Sequence, residues 1–171
     1  MKKMIYVSVI SLLSLTILSC AKKSDTSSTV NTETCSSDII TPSVTSVIPN
    51  DGVSSVALDT NISITFSIKM DDRFVKASTI GSWCLSSIQV SSDNFSSCVK
   101  MSSDPTTDDN KTFSFTPSSN LDNGSNYKIK VTTAAVEYCN WTPLSSEYIT
   151  PSGFTTINTS FKWEGKKEYC D

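Results

Sequence analysis

From residue 43 onward, apolar and polar positions alternate with a period of two, and turn-forming residues break the alternation into short runs. Asn61-Ile62-Ser63-Ile64-Thr65-Phe66-Ser67-Ile68 alternates without a fault. Ile62, Ile64, Phe66 and Ile68 are therefore expected on a buried face, and the Asn, Ser and Thr positions on a wet one. Ser43 to Pro49 reads as a strand stopped by proline, with Asn50-Asp51-Gly52 as the turn after it. Thr112 to Pro117 alternates again. Leu121-Asp122-Asn123-Gly124 is a turn before the strand Tyr127 to Thr132, and Ser152 to Ile157 is the last strand. Leu85 to Val90 and Cys98 to Met101 are weaker strand segments, and Asp104 to Asn110 is a polar loop. Seven short strands separated by turn signals predict an all-β, antiparallel two-sheet sandwich over residues 43–158.

Composition agrees with that reading. Ser and Thr abound, and the helix formers Ala, Leu and Glu do not. Once a leader and a tether are set aside, about 130 residues remain, enough for one domain with one core.

The first 42 residues have a different character. Met1-Lys2-Lys3 is a short positive segment, and Met4 to Leu18 is an apolar run interrupted only by Ser and Thr. The run is short for a bilayer span and suits a secretory signal over residues 1–19. It ends Ile17-Leu18-Ser19-Cys20, which resembles a bacterial lipobox in the relaxed form common in spirochaete lipoproteins. The resemblance implies cleavage after Ser19, diacylglycerol on the Cys20 thiol and a further acyl chain (typically palmitate) on the new amine. Stable anchoring takes two chains or more, each buried methylene contributing about 0.8 kcal/mol. Residues 20–42 are dominated by Ser, Thr, Asp, Asn and Lys, too polar to offset the entropy of ordering. They predict a flexible tether spanning about 25 Å as a coil. Residues 159–171 are expected to be a C-terminal tail, amphipathic over Phe161 to Lys167 but too short to support a membrane role.

One sub-motif sharpens the fold. Leu121, Ser125, Tyr127 and Val131 match the spacing of a tyrosine corner, in which a Tyr hydroxyl bonds to backbone a few residues upstream. Three segments together then resemble the SbsA-type bacterial Ig-like domain, first named from S-layer proteins. They are Val47 to Val53 followed by Asn61 to Ser67, the Lys69-Met70-Asp71 run, and Phe113 to Pro117 continuing through Leu121 and Tyr127 to Phe154-Thr155-Thr156. Pro143 to Tyr148 looks like the family's final loop. The likeness covers roughly residues 43–157 and departs at Tyr138-Cys139-Asn140-Trp141, where the family has an Asp- and Gly-containing turn. The cysteine-bearing segment Cys84 to Cys98, on a lipoprotein, resembles single-domain lipoproteins of Leptospira-like spirochaetes. The resemblance implies an immunoglobulin-like β-sandwich serving as an extracellular structural or adhesive module, with no catalytic residues.

Charge and chemistry narrow the function. The formal charge is −3, falling to about −5 once Lys2 and Lys3 leave with the signal, and no basic block exists to hold nucleic acid. The chain contains no histidine, so the commonest general base and zinc ligand are missing. With no Cys-x-x-Cys pair, zinc is not expected. Asp104 to Asn110 lacks the Gly and Glu of an EF-hand loop and reads as a solvated turn. The expectation is a non-enzymatic protein with no cofactor and no small-molecule substrate, held on a membrane by Cys20 and presented to a protein partner. The cell envelope is its expected place, lipid-anchored at the outer membrane or the cell surface. A periplasm-facing scaffold or accessory subunit is the alternative.

Export permits disulfides. Cys84 and Cys98 flank two adjacent strand segments and are expected to pair, closing a loop of about 15 residues for roughly 3 kcal/mol. Cys139 and Cys170 are the expected second pair, with Cys35–Cys139 and Cys35–Cys170 left open. Trp83, Trp141 and Trp163 fall in loops or the tail, where packing over the ends of the sandwich is the expected role and anchoring a partner the other.

Overall fold

The computed structural model describes residue 35 and residues 37–159. Seven strands and no helix occur among them: β1 Val44–Ile48, β2 Ile62–Phe66, β3 Ile88–Ser91, β4 Thr112–Phe115, β5 Asn126–Val131, β6 Tyr148–Ile149 and β7 Phe154–Thr155. One sheet has the order β1-β2-β4. The other runs β3-β5-β6, with β7 also paired to β5, and all strand pairs are antiparallel.

The alternation in β2 puts Ile62, Ile64 and Phe66 inside, where they meet Phe113 and Phe115 of β4 and Ile88, Val90, Ile129 and Val131 from the other sheet in one core. Phe66 and Phe113 pack edge to face with centroids 5.9 Å apart, and Tyr127 stacks on Phe154 at 5.7 Å. Ile68 departs from the expectation. β2 ends at Phe66, so Ile68 is only half-buried, and Met70 and Asp71 go under instead. The chain turns inward there because Met70 N–H donates to the Asn110 carbonyl (2.7 Å) and Asp71 N–H to that of Val136 (3.0 Å).

Two further differences concern weak segments. Leu85 is not in a strand but 81% exposed, and β3 begins only at Ile88. Cys98 to Met101 forms isolated contacts rather than a strand: Val99 N–H reaches the Val90 carbonyl, and Met101 bridges Pro117. The seventh strand lies instead at Tyr148–Ile149. β6 and β7 are two short partners of β5, separated by Thr150 to Gly153, where Pro151 has no N–H to give. Across that gap the Thr150 hydroxyl accepts from Ile129 N–H (2.9 Å), and Asp51 Oδ1 accepts from Ser152 N–H (2.9 Å) and Gly153 N–H (2.7 Å). Gly153 is required twice over. Its φ is +73°, and a Cβ would collide with the Tyr127 carbonyl.

The tyrosine corner has its hydrogen bond. Tyr127 Oη accepts from Asp122 N–H at 2.9 Å beside buried Leu121, and burial pushes the phenol's pKa up. The Thr156 hydroxyl closes the same turn by donating to the Asp122 carbonyl at 2.6 Å.

Candidate interaction surfaces

Two groups of exposed apolar side chains stand out, and the sequence places each beside a disulfide. The first lies along the β3 edge. The chain from Ala77 passes Ile88 in a parallel bridge, and Met101 N–H donates to the Ser78 carbonyl. Gly81 (φ +68°) then turns it, and Ser78 Oγ donates to the Trp83 carbonyl at 3.0 Å. Cys84 is bonded to Cys98, with Cα atoms 5.2 Å apart, and Gln89 Nε2 donates to the carbonyls of Cys84 and Ser86, each at 3.0 Å. The backbone is thus fixed while Ile80 (88% exposed), Trp83 (71%) and Leu85 (81%) point out. They border a shallow groove of about 320 Å³ whose floor includes Ala77 and Ser78.

The second group lies at the end of the sandwich where β2 and β5 finish. Lys69-Met70 pairs with Glu137-Tyr138: Met70 bridges Glu137, and Tyr138 N–H donates to the Lys69 carbonyl. The buried Glu137 carboxylate gathers the loop it begins, accepting from the N–H groups of Cys139 (2.6 Å), Asn140 and Thr142. Trp141 sits there with φ +56°. Opposite it, buried Asp71 accepts from Arg73 N–H (3.0 Å), Nε (2.9 Å) and Nη2. The Arg73 side-chain bond, ahead of the cost of burial, holds the Asp71 carboxyl below its usual pKa, and Arg73's is raised in return. The guanidinium lies 5.9 Å from the ring centroids of both Phe74 and Trp141. Phe74, Tyr138 and Trp141 are all substantially exposed.

The second disulfide corrects the expected pairing. Cys139 is bonded to Cys35, with Cα atoms 5.3 Å apart, not to Cys170. The reason is topological. β1 starts beside the end of β2, since Val44 pairs with Phe66, so the chain entering β1 arrives next to the Glu137 loop. The C-terminal segment departs from Thr159, whose N–H donates to Asn123 Oδ1 at the opposite end of β5. Cys35, within the expected tether of residues 20–42, is thus bonded to the domain, while residues 20–34 of that tether lie outside the described residues. Cys20, Cys170 and Trp163, with the signal peptide, lie outside the described residues. Trp83 and Trp141 are not packed over the sandwich ends as expected, but exposed.

The polar loops make bonds to their own chain. Asp109 Oδ1 accepts from Lys111 N–H (2.8 Å) and Thr112 N–H (2.7 Å), which hold its pKa down, and Asp104 pairs with Lys76 at 3.0 Å. Among the described residues, no group of three or more His, Cys, Asp or Glu is placed to hold a metal ion, and no helix is long and apolar enough to cross a membrane.

The chain belongs to the bacterial Ig-like domain family, whose model matches residues 38–156. Ig-like domains of this kind are structural or binding modules, a non-catalytic kind of fold. Among solved structures, the N-terminal part of the bacterial S-layer protein SbsC is similar at 15% identity and TM-score 0.45, over 69% of this chain and 24% of that one. The structure of SbsC domains 1-6 is similar at 14% identity and TM-score 0.46, over 69% and 14%. This chain therefore spans a quarter or less of the length of those two chains. No curated protein matches the sequence.

Proposed function

We propose that the protein is a cell-envelope lipoprotein, acylated at Cys20 and held on the outer membrane, that presents one Ig-like module to a protein partner as an adhesive or binding element without catalysis. The observation that carries the binding reading is the set Ile80, Trp83 and Leu85, three large apolar side chains held in solvent on a backbone fixed by the Cys84–Cys98 bridge. Exposed tryptophan is among the residues that dominate binding energy at protein interfaces, and a rigid apolar patch around it loses little entropy on binding. Support for the anchor comes from the apolar run ending at Ser19-Cys20 and the polar segment after it.

Protease shaving of intact cells, with a periplasmic marker and a Cys20→Ala control, tests the placement. Loss of the domain while the marker survives means it faces outward, as the adhesive reading requires. Protection until the envelope is broken means the module is a periplasmic scaffold or accessory subunit, and the adhesive reading fails.

A further inference from the structure

We infer that the end of the sandwich carrying Arg73 and Trp141 rests against the lipid interface to which the chain is anchored, a reading that depends on the acylation of Cys20 proposed above. The anchor's point of attachment is the first ground. Cys35 is bonded to Cys139, so the residue nearest the anchor among those described is fixed to this end of the domain. Fourteen residues, 21–34, separate Cys20 from Cys35. Fully extended, that many residues reach no more than about 50 Å, so this end stays within reach of the headgroups at a high effective concentration. Even a weak affinity for lipid is then sufficient for docking.

The side chains are the second ground. Residues 37–43 run from the disulfide to the start of β1, and they carry Ile39 (75% exposed) and Ile40 (53%). With Phe74, Tyr138 and Trp141 these give two bare aliphatics and three half-exposed aromatics at one end of a small domain. Aromatic rings with a polar edge favour the headgroup level, and aliphatics favour the layer just beneath. Arg73 fits between. Asp71 takes its Nε and Nη2 and balances its charge, while Nη1 remains directed away from that carboxylate as a donor for a lipid phosphate. With its cation balanced, the contact is led by apolar groups and should change little with salt. The Glu137 carboxylate and the disulfide hold the Trp141 loop in shape before contact.

The experiment uses the mature lipoprotein carrying Trp83→Phe and Trp163→Phe, so that Trp141 is the sole tryptophan. It is reconstituted into vesicles of phosphatidylethanolamine and phosphatidylglycerol whose acyl chains are brominated near the headgroup. Mass spectrometry first establishes the lipid on Cys20. The inference predicts that Trp141 emission shifts to the blue and is quenched relative to unbrominated vesicles, and that Ile39→Ser with Ile40→Ser weakens the quenching. An acylated protein whose Trp141 is as bright and as red as in the soluble Cys20→Ala form overturns the inference. If Trp141 is unshielded in these vesicles but shielded in native membranes, the inference fails and this end belongs to a protein partner. A mature chain without lipid overturns the anchoring reading itself, and the inference with it.

Discussion

The two exposed patches are built by opposite means. At the β3 edge, a short-range bridge and a buried amide hold a loop so that Ile80, Trp83 and Leu85 stand clear of the domain, with none of them in a ring contact or salt bridge. At the Arg73 end, the exposed rings belong to a network: Asp71 grips Arg73, Arg73 lies over Phe74 and Trp141, and Glu137 ties the loop beneath. A patch held by its backbone alone loses function without losing stability when its side chains are cut. A networked patch loses both.

The disulfides give the largest test of that contrast. Replacing Cys84 and Cys98 together by Ser should cost about 3 kcal/mol in urea unfolding. The Cys35–Cys139 bridge spans 104 residues, and loop closure alone assigns it about 4.7 kcal/mol. Yet residues 37–41 are exposed, so breaking it also frees them in the folded state. We expect Cys35→Ser with Cys139→Ser to cost less than the shorter bridge. The reverse order would mean the segment from Cys35 to Pro42 is part of the core.

Next in size is Glu137→Ala, which leaves the N–H groups of Cys139 and Asn140 without their acceptor and should cost about 2 kcal/mol. Faster amide exchange confined to residues 138–142 is the accompanying sign. Trp83→Ser should shift stability by less than about 0.5 kcal/mol while abolishing partner capture, because the side chain is 71% exposed.

The smallest effect is on pH dependence. The Ser97 hydroxyl and N–H, with Ser91 Oγ, hold the Asp93 carboxyl at about 2, below its ordinary 3.8. A pKa lowered on folding contributes stability above the unfolded value, lost as pH falls from about 4 through about 2. Asp71 adds to the same acid limb, its carboxyl being lowered by Arg73. Asp93→Asn should flatten that limb slightly, and a carboxyl titration by NMR should find Asp93 near 2. The β3-edge patch of Ile80, Trp83 and Leu85 should be indifferent to this titration, whereas protonating Asp71 loosens the Arg73 network.

What the sequence disclosed follows from range. The alternation of Ile62, Ile64 and Phe66 is a local signal, and so is the spacing from Leu121 to Tyr127, so the core strands and the corner were readable. Ile68 misled because alternation persists past the end of β2, and Leu85 because an apolar residue just before a strand reads as its start although it is out of phase with Ile88 and Val90. β6 was hidden because two residues carry no period. The Cys35–Cys139 pairing depends on which loops share an end, a property of β1 pairing with β2 and of Met70 meeting Glu137. The Arg73 network was unreadable for the same reason: Arg73 and Trp141 are neighbours only because Lys69-Met70 lies beside Glu137-Tyr138. Arg73-Phe74, one residue beyond Met70-Asp71, was the sole local hint.

A photoreactive residue placed at position 83 or at position 141 in whole cells tests the division of labour most directly. The account predicts a discrete protein adduct from position 83, and from position 141 a lipid adduct with no protein partner. A protein adduct from position 141 and none from position 83 would contradict it.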